Sequence, residues 1–169
     1  KGNVLNEYQS ITKNDGTPFK VFSPFWRNAE QVFLDAVPQK TSEIKKLKSK
    51  KTLFNSKNTF KQIMPKKDWF KKFDQYWKPS EDEAHKNLKE FISNRISKYG
   101  VDRDYPSING SSRLSPYIRN GQIHVAEIYE KSSKDIKKNI SIRKYINELG
   151  WREFSHSLIN YFPQMLKGN

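Results

Sequence analysis

The 169-residue chain contains no cysteine, which removes disulfides, Cys-ligated zinc, iron–sulfur clusters and thiol nucleophiles together. Its three histidines, His85, His124 and His156, are too far apart for the short metal-ligand spacings, so metal chemistry is not expected. Long apolar runs are missing as well. Nothing approaches the roughly 18 residues a membrane-spanning helix needs, and no signal-peptide pattern opens the chain. The expectation is a soluble, cytoplasmic protein with no membrane partner. The chain starts at Lys1, without Met, and stops soon after Tyr161-Phe162-Pro163, which reads as a piece of something longer.

Acids are also scarce: 32 Lys and Arg face 18 Asp and Glu, for a net charge of +14. The surplus is concentrated in residues 40–78, where 13 Lys stand against Glu43, Asp68 and Asp74. Such a run can neutralise phosphates, and Phe60, Trp69, Phe70, Phe73, Tyr76 and Trp77 within it can stack on bases. Against that, the run is built from Lys rather than Arg, whose guanidinium reads phosphate and guanine bidentately. A solvated linker is the simpler reading. Aromatics reach 14% of the chain, far more than a disordered tail carries, so a packed core exists somewhere.

The apolar pattern places that core after residue 79. Ser80-Glu81-Asp82-Glu83 is an N-cap with acids in the first turn. Ala84, Leu88, Phe91, Ile92 and Ile96 then recur at helical spacing, up to Tyr99-Gly100, where glycine is expected to end the helix. A loop follows from Val101 to Gly110, broken by Pro106. Ser111 to Ile118 reads as a helix start, capped by serine with Pro116 early in the first turn. Val125 to Tyr129 is a short helix, and Ile142 to Ile159 marks a long one closed by Pro163. Before residue 79, the aromatic cluster Phe19 to Arg27 is interrupted by Pro24, a short helix is expected from Ala29 to Leu34, and another from Trp69 to Tyr76. Nothing after Ser80 alternates with period two, so that half is helical.

Two strings carry candidate chemistry. Gly110-Ser111-Ser112-Arg113-Leu114-Ser115 combines small residues, three hydroxyls and a helix start, a combination suited to a phosphate but also to a plain cap. In Glu148-Leu149-Gly150-Trp151-Arg152-Glu153-Phe154, helical spacing sets Glu148, Trp151, Arg152 and Ser155 on one stripe. Gly150 inside a helix costs about 1 kcal/mol relative to Ala, which makes sense if something packs against the backbone there.

Taken in order, Phe19 to Arg27 (FKVFSPFWR), Tyr99 with Arg103-Asp104-Tyr105-Pro106, Gly110 to Tyr117, and Glu148 to Phe154 resemble the photolyase/cryptochrome flavoprotein family. The resemblance covers residues 19–34 and 80–163. It implies a mainly α fold, the N-terminal part of that family's FAD-binding helical domain preceded by an interdomain connector. Residues 1–39 would be the end of an α/β antenna domain and the start of the connector, 40–78 the basic interdomain linker, and 79–169 the first, incomplete part of the FAD domain. FAD is the implied cofactor, contacted by Tyr99, Ser111, Ser112, Arg113, Leu114 and Ser115, with Tyr145 where the family often has Trp. The antenna pigment is not indicated.

The implied partner is UV-damaged DNA containing pyrimidine dimers, bound by a monomer. Arg103 would meet a phosphate, Glu148 would hydrogen-bond the flipped dimer, and Trp151 would stack on it. Arg152 would lie between flavin and DNA, with Ser155 on the DNA side. The implied reaction is that of a carbon–carbon lyase: light excites reduced FAD, an electron passes to the cyclobutane dimer, the ring splits and the electron returns. No side chain acts as a nucleophile, and the base-flipping step is the one known for photolyases. Arg113 and Glu148 resemble the class I cyclobutane dimer repair enzymes, while Ser111 stands where Thr is usual and Ser155 where a bulky residue is common. The alternatives are a cryptochrome-type photoreceptor without repair activity and a basic helical nucleic-acid-binding module without cofactor.

Overall fold

The computed structural model describes residues 4–33 and 66–167. Leu34 and most of the basic run lie outside the described residues. The chain divides into two compact units, residues 1–38 with 79–169, and residues 39–78. In the second unit the expected short helix is a run of 3-10 turns, Asp68–Gln75. There the Trp69 ring meets Phe70 and Phe73 edge-on at 6.2 and 6.0 Å, and Lys71 Nζ donates to Asp68 at 2.6 Å.

The larger unit is helical. Helix α1, Phe22–Phe33, begins seven residues before the expected Ala29. Pro24 does not interrupt the pattern because it falls in the first turn, where a missing N–H costs no intrahelical bond. Helix α2, Glu81–Asn94, starts as expected, with Ser80 Oγ accepting the Glu83 N–H at 3.2 Å. Its stripe Ala84, Leu88 and Phe91 is fully buried, and each of the two larger side chains contributes about 1.5–3 kcal/mol by leaving water.

The end of α2 corrects the sequence reading. The helix stops at Asn94 and is followed by a 3-10 turn, Ile96–Lys98, and a single helical turn α3, Tyr99–Asp102. Gly100 therefore lies inside a helix and is not its terminator. A Cβ at Gly100 would sit 2.9 Å from Lys144 Cδ and 3.0 Å from Ser141 Oγ, so glycine serves the close approach of α3 to the long helix. Helix α4, Ser115–Arg119, has Pro116 in its first turn as expected, but Leu114 occupies the cap position and no serine caps it. Leu114 is buried, and burying that side chain anchors the helix entry in place of a cap hydrogen bond.

Helix α5, Val125–Ser132, is capped by His124 Nδ1, which accepts the Ala126 N–H at 3.2 Å. Helix α6, Ile140–Tyr161, is capped by Asn139 Oδ1, which accepts the Ser141 N–H at 2.7 Å. It is the hub of the unit and packs against α1, α3 and α5. Its buried residues include Ser141, Gly150, Glu153 and Ser157 beside the apolar set, because neighbours cover more than one of its faces. Glu30 of α1 accepts from Arg143 Nη1 at 2.6 Å and from the Tyr129 hydroxyl at 3.2 Å, tying α1, α5 and α6 together. The N-terminal segment docks on the same helix. Leu5, Ile11 and Phe19 are buried, and the Leu5 N–H donates to Glu153 Oε2 at 2.8 Å. Among the described residues there is no strand, only the isolated bridge Thr12 to Pro18, and no helix is long and apolar enough to cross a membrane.

Candidate functional site

Two adjoining faces of α6 gather the residues singled out in the sequence, its own Tyr145, Glu148 and Trp151 meeting Tyr99, Arg103 and the Ser111–Ser115 loop from elsewhere in the chain. On one, Tyr145 is buried against Tyr99 and Phe91, with ring centroids 5.0 and 4.7 Å apart, and Phe91 meets Tyr99 edge-on at 5.9 Å. Burial raises the Tyr145 and Tyr99 hydroxyls above the ordinary tyrosine range, so both stay neutral at physiological pH. The Ser112 side chain lies close enough to the Tyr145 phenol to pull its pKa the other way, which brings the small-hydroxyl loop to α6.

That loop is held by its surroundings. Gly110 is packed so tightly on Asp102 that a Cβ would lie 2.6 Å from the Asp102 carbonyl carbon, which excludes any side chain. Arg95 donates from Nη1 to the Ser111 carbonyl at 3.2 Å and to the Asn109 carbonyl at 3.4 Å. Arg113 adopts the left-handed conformation at φ 54°, a state that costs a non-glycine residue about 1 kcal/mol or more and persists only where the surroundings impose it. Ser111, Arg113 and Ser115 remain exposed and Ser112 half-buried. The result is a fixed turn offering hydroxyls and one guanidinium to solvent, a donor set suited to the diphosphate of a dinucleotide such as FAD.

On the adjoining face, Arg103, Glu148 and Trp151 line one open pocket of about 310 Å³ with Gly100, Asp104, Lys144 and Asn147. Arg103 Nη1 donates to Glu148 Oε1, its Nε lies 3.6 Å from Asp104, and its guanidinium carbon sits 5.3 Å from the Tyr99 ring centre. The hydrogen bond to Glu148 holds the Arg103 guanidinium even more firmly protonated. Lys144 Nζ donates to the Gly100 carbonyl at 3.2 Å. Trp151 is 46% exposed and its ring is stacked on Phe22 at 3.8 Å with a 10° interplanar angle. A flat ring, a carboxylate acceptor and a guanidinium in one pocket suit a planar, hydrogen-bonding group attached to phosphate. The pocket holds no nucleophile and base in mutual contact.

The expected stripe of four residues is only partly realised. Glu148 and Trp151 open onto the pocket, but Arg152 Nη1 donates to Glu153 at 2.7 Å and is not among the lining residues. Ser155 is exposed and donates to the Trp151 carbonyl at 2.8 Å. Glu153 is 4% exposed. Burial raises its carboxyl to about 7, although the Leu5 N–H and Arg152 pull the other way. Sequence reasoning passed over Lys144 and Asn147, although both continue the three- and four-residue spacing of Glu148 and Trp151 backward along α6. Gly100 and Asp104 had no local signal. Their place in the pocket comes from the packing of α3 on α6.

No family model matches the chain. It is 29% identical to the deoxyribodipyrimidine photo-lyase of Agrobacterium fabrum, over 99% of this chain and 36% of that protein. It is 31% identical to the deoxyribodipyrimidine photo-lyase of Alkalihalophilus pseudofirmus, over 94% of this chain and 33% of that one. Among solved structures, a bacterial class III photolyase from Agrobacterium tumefaciens matches with a TM-score of 0.76 and 26% identity, covering 99% of this chain and 35% of that chain. The chain thus spans about a third of the length of the curated relatives it matches.

Proposed function

The chain belongs to the photolyase family, and on that premise we propose that it supplies the lesion-facing wall and the flavin diphosphate loop of a light-driven cyclobutane pyrimidine dimer lyase. The observation that carries this reading is the pocket: Arg103, 45 residues before Glu148 in the chain, meets Glu148 and Trp151 in one cavity with the chemistry a flipped dimer requires. Trp151 offers an aromatic face, Glu148 an acceptor for base N–H groups, and Arg103 a cation for the flanking phosphate. The dimer is flipped at a lower cost than a paired base, a difference of a few kcal/mol at most.

FAD fits the other face. The rigid turn from Gly110 to Ser115 would hold its diphosphate through hydroxyl and backbone donors, with Arg113 beside it. Tyr99 and Tyr145, neutral and buried, would wall the flavin off from water. When bound and reduced, FAD supplies under light the electron that splits the dimer. The protein's own residues bind, orient and desolvate. Class I remains the finer reading on Arg113 and Glu148, beside a solved structure described as class III.

The test is made on a protein of the relatives' length that carries this chain. Such a protein is expected to purify with a flavin absorption spectrum, to prefer a duplex with one thymine dimer over the intact duplex, and to split the dimer only in light. Bound flavin and light absorption without dimer preference or splitting would move the assignment to a photoreceptor. A colourless protein that stays colourless with added FAD would end the flavin reading.

A further inference from the structure

Phe22 belongs to none of the residues assigned above, yet it makes the closest ring contact of Trp151. Its ring lies parallel to the Trp151 indole at 3.8 Å and 10°, and the Phe154 ring meets both edge-on, at 6.0 and 5.9 Å. Phe22 opens α1, and one turn later Trp26 runs nearly parallel to it, 6.3 Å away at 12°. The Trp26 ring rests on Gly150, where a Cβ would fall 2.5 Å from ring carbons. Helix α1 is therefore keyed into α6 one residue before Trp151, and that key fixes where Phe22 stands. Trp151 lines the pocket and Phe22 does not, while Phe22 covers one face of the indole.

We infer that Phe22 is a positioning residue that fixes the plane of Trp151, so that the open face of the indole is presented to a flipped base without ordering a free side chain on binding. An unbacked indole must give up its rotamer freedom when it binds. A parallel aromatic neighbour removes that cost in advance and adds its own stacking. This inference rests on the lesion-binding reading of the pocket.

The test compares Phe22→Leu, which keeps apolar bulk but loses the flat ring, with Phe22→Tyr, which keeps the ring. Dissociation constants for a duplex with one thymine dimer and for its intact counterpart are measured, in each form, with the same protein of the relatives' length that carries this chain. Alongside, fluorine NMR follows 5-fluorotryptophan-labelled chain, the Trp151 signal being assigned by its loss in Trp151→Phe. Phe22→Leu is expected to lower the preference for the damaged duplex by about 3- to 10-fold and to shift and broaden the Trp151 signal. Phe22→Tyr is expected to restore both. Should Phe22→Leu fail to fold, Phe22→Met takes its place. A Leu or Met variant with wild-type preference and an unchanged Trp151 signal overturns the inference, as does an equal loss of affinity for both duplexes, which marks a merely structural role. If the wild-type protein of the relatives' length shows no preference, the lesion reading fails first and the inference falls with it.

Discussion

Replacing Gly150 by alanine puts the α1–α6 contact to a quantitative test. In an ordinary helix the change stabilises by about 1 kcal/mol, since alanine loses less backbone freedom than glycine. Here the added Cβ would stand 2.5 Å from Cδ2 and Cε3 of Trp26 and 2.8 Å from Cε2, against about 3.5–4.0 Å for a comfortable carbon–carbon contact. Trp26 is 6% exposed, and its ring is wedged between α1 and α6, so it cannot swing clear. The helices must part by about an ångström, or the indole must leave its rotamer. Overpacking of this kind costs about 1–3 kcal/mol, and three clashing ring atoms place it at the upper end. The net expectation is destabilisation by about 2 kcal/mol, read as a fall of about 4–8 °C in Tm for a chain of this size. Urea denaturation of wild type, Gly150→Ala, Trp26→Leu and the double variant measures it directly. The double variant should be more stable than the sum of the single losses predicts, because removing the ring removes the clash. A Gly150→Ala variant as stable as wild type, or more so, would refute the packing argument.

Three other outcomes follow from the site. Trp151→Ala is expected to weaken discrimination between dimer-containing and intact duplexes by about 1–3 kcal/mol through lost stacking, read by competition binding. Glu148→Gln releases Arg103 from its carboxylate partner, so affinity for intact DNA should rise and its salt dependence steepen by up to about one phosphate contact; a salt titration showing weaker binding to intact DNA would contradict this. Burial raises the Glu153 carboxyl from the ordinary 4.5 to about 7. Its neutral form is favoured by folding, so the stability it contributes is complete below about pH 4.5 and is lost as pH rises through 7. Glu153→Gln should flatten the stability profile over that window in denaturation curves, a change worth at most about 3 kcal/mol.

Much of the helical arrangement was legible locally. The Ser80 cap, the stripe Ala84, Leu88 and Phe91, the early Pro116 and the long helix before Pro163 all rest on signals that reach only three or four residues. The special place of Gly150 was legible too, as a cost needing a reason, although Trp26 as that reason was not. Where local reading failed, the cause was a neighbour distant in sequence. Gly100 reads locally as a terminator, but the approach of Ser141 and Lys144 is what requires it. Leu114 displaced serine from the cap because burial in the core outweighed a surface hydrogen bond.

The sequence by itself determined that the unit would be helical and that no thiol of this chain takes part in its chemistry. Each follows from composition or from short-range order, which a chain carries with it whatever its partners. Only the tertiary structure decided that Arg103 pairs with Glu148, that Arg152 turns to Glu153, and that Phe22 lies flat behind Trp151. Those contacts join positions up to 129 residues apart, and side-chain direction across such a gap is set by how α1, α3 and α6 pack, which no local propensity encodes.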